Sequence, residues 1–263
     1  MIPQAFITEW SQTVPWQTNE QVEQDLVICR ALISIFSDDW LSSSLAFRGG
    51  TALHKLYLSP QQRYSEDIDL VQLRPEPIKE TIKRLQEKLS FLGEATVSQK
   101  NSNNTLKYRF ESEVPPIQNL RLKIETNCRE HFTVMGLKNF PFEINNSWFN
   151  GKCEITTYNL EELLGTKLRA LYQRKKGRDL YDIYKALNMH PHLDRDLIIK
   201  CYKEYMQFSV DRTPSQKIFL QNMETKIMDS EFAGDVKGIL RPLENFDHTM
   251  AYETVRKELL EKI

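Results

Sequence analysis

The sequence predicts an α/β (α+β) protein in which a mixed half, residues 1–150, precedes a helical half, residues 151–263. In the first part, apolar residues spaced three and four apart alternate with short apolar runs, which indicates helices between strands. From Glu94 to Asn127 the period falls to two, as in half-buried strands. After Asn159 the helical spacing returns, and the turn-rich stretch 145–151 marks the predicted boundary.

The mixed half begins with an amphipathic helix whose apolar stripe includes Val22, Leu26 and Ile33. Alternation of Leu106, Tyr108 and Phe110 with polar residues predicts a strand, and the run 120–125 repeats the pattern. The elements predicted before residue 94 are a helix at 20–36, a strand at 45–47, a helix at 51–57, a strand at 68–73 and a helix at 75–92.

The helical half begins at Asn159, a residue that favours a helix N-cap, with Glu162 three positions later as a capping box requires. Leucines at 160, 163, 164, 168 and 171 form the apolar face of this helix. A second helix is predicted at 179–188, and three or four more at 194–263. The sequence shows no internal repeat.

Composition limits the classes of function. The chain has 263 residues with 35 Lys and Arg against 36 Asp and Glu, which excludes a globally basic nucleic-acid packager. The N-terminus lacks the features of a signal peptide, and the longest apolar run, 26–36, is interrupted by Arg30 and too short to span a bilayer. Four scattered cysteines are typical of reduced thiols. We therefore expect a cytoplasmic protein without a membrane segment.

A turn that could bind an anion lies at Arg48-Gly49-Gly50-Thr51. A strand that ends in two glycines and opens a helix lets backbone N–H groups approach a phosphate, and Thr51 adds a hydroxyl. The alternative is a plain tight turn between strand and helix.

A pair of carboxylates follows at Asp67 and Asp69. Residues two apart in a strand point to the same face, so the two carboxylates would repel each other unless a cation lies between them. Oxygen ligands of this kind suit Mg²⁺ or Mn²⁺. Glu125 would add a third ligand if its strand neighbours this one. The alternative for all three is a solvated strand surface.

The helical half contributes a lysine and a basic cluster. Lys167 lies within the apolar stripe of its helix, so it must either extend to solvent or meet a buried anion. From Lys167 to Lys185 there are seven basic residues against two acidic ones, which suits phosphates or an RNA backbone, although a solvated helix face would look the same. The acceptor-binding candidates in this stretch are Arg174, Lys175, Lys176 and Arg178. Asp182 lies one turn from Arg178 and could simply pair with it.

Four pieces of sequence together resemble a known family: residues 47–53, 63–70, 123–125, and the stretch from Lys167 to Asp182. They are similar to the AbiEii/AbiGii toxins, a branch of the DNA-polymerase-β-like nucleotidyltransferase superfamily. The resemblance implies a small mixed sheet with flanking helices followed by a helical region. It also implies transfer of a nucleoside monophosphate from an NTP with Mg²⁺. Members are commonly toxins of toxin–antitoxin or phage-defence systems, and some relatives modify the acceptor ends of tRNAs.

The resemblance implies roles for the matching residues. Gly49, Gly50 and Thr51 match the phosphate-binding turn, and Arg48 and Ser65 are assigned to the nucleotide with them. Asp67 and Asp69 match the metal ligands, whereas Glu125 stands where the family often has Asp. Lys167 and Asp182 match the downstream catalytic pair, with Lys167 at the triphosphate.

The predicted function is metal-dependent transfer of a nucleoside monophosphate to an acceptor hydroxyl, with the 3′ end of tRNA as the favoured acceptor and an antitoxin encoded nearby. Nucleotidylation of a protein and a non-catalytic nucleotide- or RNA-binding relative are the alternatives. Asp67-Ile68-Asp69-Leu70-Val71 also fits the pattern of haloacid-dehalogenase-like phosphatases. Those enzymes place the aspartates at the end of an apolar strand, whereas here they open it.

Overall fold

A computed structural model describes residues 2–100, 102–210 and 212–263. The described chain divides into a unit of residues 1–133 with 137–158, and a unit of residues 134–136 with 159–263. The first unit is mixed α/β and the second is helical, as the sequence predicts. The strands within the described residues form one seven-stranded mixed sheet in the first unit.

The first unit contains five helices and seven strands in its described residues. The helices are α1 (Gln4–Trp10), α2 (Asn19–Phe36), α3 (Asp39–Ser44), α4 (Gly49–Ala52), which continues as a wider turn over Leu53–Tyr57, and α5 (Lys79–Lys88). The strands are β1 (Leu45–Arg48), β2 (Asp67–Gln72), β3 (Thr96–Lys100), β4 (Asn103–Glu111), β5 (Asn119–Asn127), β6 (Leu137–Asn146) and β7 (Phe149–Tyr158).

The order of the strands across the sheet is β3-β4-β5-β2-β1-β7-β6. Strands β2 and β5 run parallel, as do β1 and β7, and the other neighbours are antiparallel. One face is apolar and buried, because the alternating residues of β4 and β5, such as Leu106, Tyr108 and Ile124, are fully shielded from solvent. Helix α2 packs against β5, β6 and β7. The opposite face of β2, β4 and β5 carries the polar residues.

The boundary between the units differs from the predicted one. Residues 145–151 form the end of β6, the tight turn at 147–148 and the start of β7 rather than a linker, and the division falls after Tyr158 rather than after residue 150. Strand β7 belongs inside the sheet because it pairs with β1 through Phe47 and Thr157. The sequences of β6 and β7 lack a clean alternation of apolar and polar residues. Strand β6 is exposed along most of its length, and β7 is buried only near its end.

The second unit contains α6 (Leu160–Gln173), α7 (Gly177–Met189), α8 (Arg195–Ser209), α9 (Gln216–Ile227), α10 (Ser230–Gly234) and α11 (His248–Glu258). Asn159 occupies the N-cap position of α6, but its side chain does not cap the helix. Glu162, which is fully buried, accepts hydrogen bonds from the backbone N–H groups of Val134 (2.8 Å) and Met135 (2.9 Å). These hydrogen bonds connect residues 134–136 to the helical unit, to which they belong.

No helix formed by the described residues combines the length and apolar character that crossing a bilayer requires.

Candidate active site

The turn after β1 brings backbone close to a carboxylate. Gly49 has a φ of +82°, a backbone conformation that residues with a side chain rarely adopt. A Cβ added at this position would lie 2.1 Å from Oδ2 of Asp69. Gly50 is similarly tight, because its Cβ would lie 2.5 Å from Nη2 of Arg63. The close approach therefore requires glycine at position 49, where the turn lies directly against the Asp69 carboxylate of β2, whereas at position 50 the flexible end of Arg63 would have to shift.

The pairing of β2 with its neighbours places three carboxylates on one face. In the register, Asp67 lies beside Lys123, and Asp69 lies beside Glu125 on one side and Arg48 on the other. The strand of Glu125 does neighbour that of the two aspartates, as the three-carboxylate arrangement requires. A lysine stands among them, since Nζ of Lys123 is 2.8 Å from Glu125 and 3.8 Å from Asp67.

Asp67 is the most perturbed of these groups. Burial raises the pKa of its carboxyl to about 6, and the negative charges of Asp69 and Glu66 add to this while Lys123 opposes it. Its Oδ1 atom is buried and finds no hydrogen-bond partner among the residues that the structure describes. An unpartnered carboxylate oxygen next to a second carboxylate is a place for a cation.

The residues present fit a divalent metal held partly by substrate. Within the described chain, no group of three His, Cys, Asp or Glu side chains could hold an ion by itself. Glu125 also accepts a hydrogen bond from Asn103 (3.0 Å) in addition to its pairing with Lys123. Because Mg²⁺ is commonly bound by one or two carboxylates together with substrate phosphates, Asp67 and Asp69 would suffice as protein ligands if such an ion binds here.

The hydroxyl of Thr51 joins the turn to β2. It donates to the backbone carbonyl of Asp67 and shares a 2.8 Å hydrogen bond with Ser65. Arg48, at the end of β1, forms an ion pair with Glu130, and both side chains are largely buried. In the structure, then, these polar groups hold the turn and the end of β1 in place.

In the helical unit, Lys167 meets two buried anions, which is one of the two outcomes predicted from its place in the apolar stripe. Its Nζ lies 2.8 Å from Oδ2 of Asp182 and 3.2 Å from Oδ1 of Asp179, and both carboxylates are fully buried. Arg174 contacts Asp179 through two nitrogens, at 2.6 and 2.7 Å. Burial alone would raise the pKa of the Asp179 carboxyl, but Lys167 and Arg174 hold this pKa below its ordinary value.

The basic cluster at 174–178 is paired with carboxylates of the same unit. Lys175 contacts Asp229 (2.8 Å) and Glu231 (3.2 Å), while Lys176 and Arg178 both contact Asp235 at 3.3 Å. Asp182 thus pairs with Lys167, and Arg178 pairs elsewhere. The local excess of positive charge in the sequence is largely compensated in the fold.

Sequence reasoning missed Lys123 and Arg63 as members of the site. Lys123 was part of an alternating Arg-Lys-Glu run that is equally typical of plain surface. Arg63 lies in a resembling segment, but only the fold reveals that its guanidinium rests against Gly50. Glu130, the partner of Arg48, lies in a segment after β5 that has no periodic pattern.

Comparison with known proteins identifies a family that this sequence matches. The family model described as nucleotidyl transferase AbiEii toxin, type IV toxin–antitoxin system, matches residues 30–254. No protein of curated function matches the sequence.

Two solved structures share the fold over nearly the whole chain. MenT4, a nucleotidyltransferase toxin from Mycobacterium tuberculosis, is 14% identical with a TM-score of 0.67, and the match covers 100% of this chain and 91% of that one. A protein from H. pylori that is classed as a nucleotidyltransferase is 16% identical with a TM-score of 0.53, covering 94% and 98% of the two chains.

Proposed function

Because this chain belongs to the AbiEii family of nucleotidyltransferase toxins of type IV toxin–antitoxin systems, we propose that it transfers a nucleoside monophosphate from an NTP to a hydroxyl of RNA. The family makes the protein a nucleotidyltransferase with an NTP substrate and an antitoxin counterpart. The proposal adds three points: dependence on Mg²⁺ or Mn²⁺, the 3′ end of tRNA as acceptor, and action in the cytoplasm.

One observation carries the metal dependence. Asp67 and Asp69 share a face of β2 beside the turn at Gly49, and a buried oxygen of Asp67 has no partner within the described residues. A triphosphate approaching the backbone of this turn would bring its oxygens to the same carboxylates. A divalent cation bound there would neutralise phosphate charge and polarise the bond that is broken.

The other residues have supporting roles in this proposal. Gly49 and Gly50 let the backbone approach phosphate, and Thr51 and Ser65 position the turn against β2. Arg48 is assigned to the nucleotide with them. Glu125 stays a candidate ligand, and its pairing with Lys123 would have to open for it to bind an ion.

Lys167 is assigned to the negative charge of the departing pyrophosphate. A preorganised ammonium is worth most where charge develops during the reaction. Asp182 and Asp179 act as positioning residues, because their contacts hold this ammonium in one place within the helical unit.

The test is incubation of the purified protein with total cellular RNA and each labelled NTP in turn, with Mg²⁺ and with a chelator. We expect one NTP to label a band of tRNA size, and the chelator to abolish the labelling. Asp69→Asn should keep the fold and remove the transfer. The matched control, Glu143→Gln, changes an exposed carboxylate of β6 and should leave the transfer intact.

Labelling that survives the chelator would contradict the metal requirement, and full activity of Asp69→Asn would contradict the assigned ligand. Labelling of protein in a lysate but never of RNA would contradict the acceptor.

A further inference from the structure

A row of positive charges leads away from the candidate active site along two neighbouring strands. We call it the basic face; it consists of Lys107 and Arg109 of β4 and Lys123 and Arg121 of β5. In the antiparallel register, Lys107 lies directly opposite Lys123, and Arg109 lies directly opposite Arg121. The strands therefore carry two successive cross-strand pairs of like charge.

Pairs of this kind are costly to the fold. Like charges directly opposite each other destabilise a sheet, and a polar or acidic residue at either position would relieve the repulsion. Lys107 and Arg109 are exposed, and neither forms an ion pair with any residue that the structure describes. Arg121 has one weak partner, Glu66 at 3.6 Å, and stays 65% exposed. The charges of Lys107 and Arg109, and in large part that of Arg121, are thus left available for an anion from outside.

The basic face is continuous with the carboxylates. Asp67 lies beside Lys123 in the parallel pairing of β2 with β5, so the polar faces of β2, β5 and β4 are one surface. Arg121 is two residues from Lys123, which is about 6.6 Å along the strand. Successive pairs are therefore spaced along one line that begins at the metal ligands.

We propose that the basic face binds the phosphate backbone of the acceptor RNA and directs its 3′ end to Asp67 and Asp69; this rests on the proposed function. The rival surface, the cluster at 174–178, has its cations paired with Asp229, Glu231 and Asp235. Among the described residues, the anions that contact the basic face are Glu66 at Arg121, and Glu125 and Asp67 at Lys123, so that Lys107 and Arg109 have no ion-pair partner there.

The chemistry of the surface favours nucleic acid over a protein partner. The remaining side chains that the register places on this face of β3, β4 and β5 are mostly hydroxyls and amides, with Lys100 and Glu111 at the margins: Thr96, Ser98, Asn103, Thr105 and Asn119. Protein interfaces need an apolar centre, which these positions do not supply. Lys, Arg, Ser, Thr and Asn are the side chains that contact phosphate and sugar.

The experiment measures binding of fluorescently labelled bulk tRNA without NTP, at a series of salt concentrations. Lys107→Gln with Arg109→Gln should weaken binding at least tenfold at low salt. Loss of two phosphate contacts should reduce the slope of log affinity against log salt by about 1.4 to 1.8. The melting temperature should stay unchanged or rise, because like-charge repulsion is removed, and a merely structural role would not give this combination.

The matched control is Lys200→Gln with Lys203→Gln, two exposed lysines of α8, which changes the net charge equally. Unchanged tRNA affinity in the β4 variant would overturn the inference, and so would an equal loss in the α8 control. Loss of poly-glutamate binding with tRNA binding intact would instead identify an acidic protein as the ligand.

The two proposals can fail separately. If the wild-type protein labels RNA and the β4 variant does so with the same KM for RNA, the basic face is not the acceptor site although the function stands. If the wild-type protein binds tRNA but transfers no nucleotide to RNA, and the β4 variant no longer binds tRNA, the basic face is supported as an RNA-binding surface and the proposed reaction is wrong.

Discussion

A single buried ammonium, Lys167, shows how much the fold changes the expected effect of a substitution. From the sequence alone, Lys167→Met should pack well, because methionine keeps much of the apolar stem. In the structure this change would leave Asp182 and Asp179, both fully buried, without their shared cation. Asp179 would keep Arg174, but the Asp182 carboxylate would lose its 2.8 Å ion pair.

We therefore predict that Lys167→Met destabilises the protein by about 3–5 kcal/mol, the usual cost of removing one partner of a buried pair. Thermal unfolding measures this, with Lys200→Met on the exposed side of α8 as the control. Adding Asp182→Asn should recover part of the loss, because it removes the buried negative charge that Lys167 had paired with. Transfer activity, normalised to the folded fraction, should fall at least ~10²-fold. Wild-type turnover per folded molecule would show that Lys167 has only a structural role.

Gly49 permits a prediction with an unusually close control. Gly49 and Gly93 both have a φ of +82°, but an added Cβ at Gly49 would lie 2.1 Å from Oδ2 of Asp69, whereas nothing lies within 4 Å at Gly93. Alanine at either position should cost about 1–3 kcal/mol through its positive φ. Only Gly49→Ala must also displace the Asp69 carboxylate, so it alone should reduce metal-dependent transfer, by at least tenfold. Equal activities of the two variants would mean that the position of Asp69 is not critical.

For single residues, the sequence predicted correctly those side-chain positions that depend only on spacing within one strand or helix. The spacing of Asp67 and Asp69 placed them on one face, and the place of Lys167 in an apolar stripe predicted a buried anion as one outcome. The partners of the basic cluster could not be predicted, because Lys175 and Asp229 are 54 residues apart in sequence. Only the packing of α7 against α10 brings these charges together.

A buried ion pair between Lys55 and Asp25 joins the wide turn after α4 to helix α2. Lys55, in the wide turn that continues α4, contacts Asp25 of α2 at 2.9 Å, and their side chains are 3% and 1% exposed. Trp10 of α1 also donates to Asp25, at 3.1 Å. Burial alone would raise the pKa of Asp25, but Lys55 and these hydrogen bonds hold it below its ordinary 3.8. Burial alone would lower the pKa of Lys55, but Asp25 holds it above its ordinary value.

The pair should make stability depend on pH at the acid end. Because the folded pKa of Asp25 lies below the unfolded 3.8, its contribution is complete above that pH and is lost as pH falls through the lowered pKa. Asp25→Asn should cost about 3–5 kcal/mol at neutral pH and show a weaker loss of stability on acidification. Adding Lys55→Met should cost less than the sum of the two single changes. The measurement is thermal unfolding from neutral to strongly acidic pH, and an acid profile like that of the wild type would contradict the prediction.

Elements with strong periodicity were predictable, and those with mixed exposure were not. The helix at 20–36 and the strands around Leu106 and Leu122 follow from their apolar spacing. The hairpin of β6 and β7 was missed because β6 is exposed along most of its length and β7 is buried only near its end. What makes them strands is pairing with each other and with β1, which is distant in sequence.

For the whole molecule, the hairpin of β6 and β7 determines at which residue the chain can be truncated without breaking the sheet. The predicted boundary after residue 150 would remove most of β7, which lies between β1 and β6 in the sheet. The division after Tyr158 keeps all seven strands together in one unit. The chain also enters the helical unit briefly at residues 134–136, where Glu162 accepts hydrogen bonds from Val134 and Met135.

We predict that a fragment of residues 1–158 unfolds cooperatively, whereas a fragment of residues 1–150 does not. In the shorter fragment, β1 loses its parallel neighbour and β6 loses the strand with which it pairs along its whole length, from Leu137 to Asn146. The exposed edge of β1 would leave backbone donors and acceptors unpaired next to a buried core, which favours aggregation. Soluble yield, circular dichroism and thermal unfolding of the two fragments provide the comparison. A cooperative transition of the 1–150 fragment at the same temperature as that of the 1–158 fragment would show that β7 is dispensable to the sheet and that the boundary lies where the sequence predicted it.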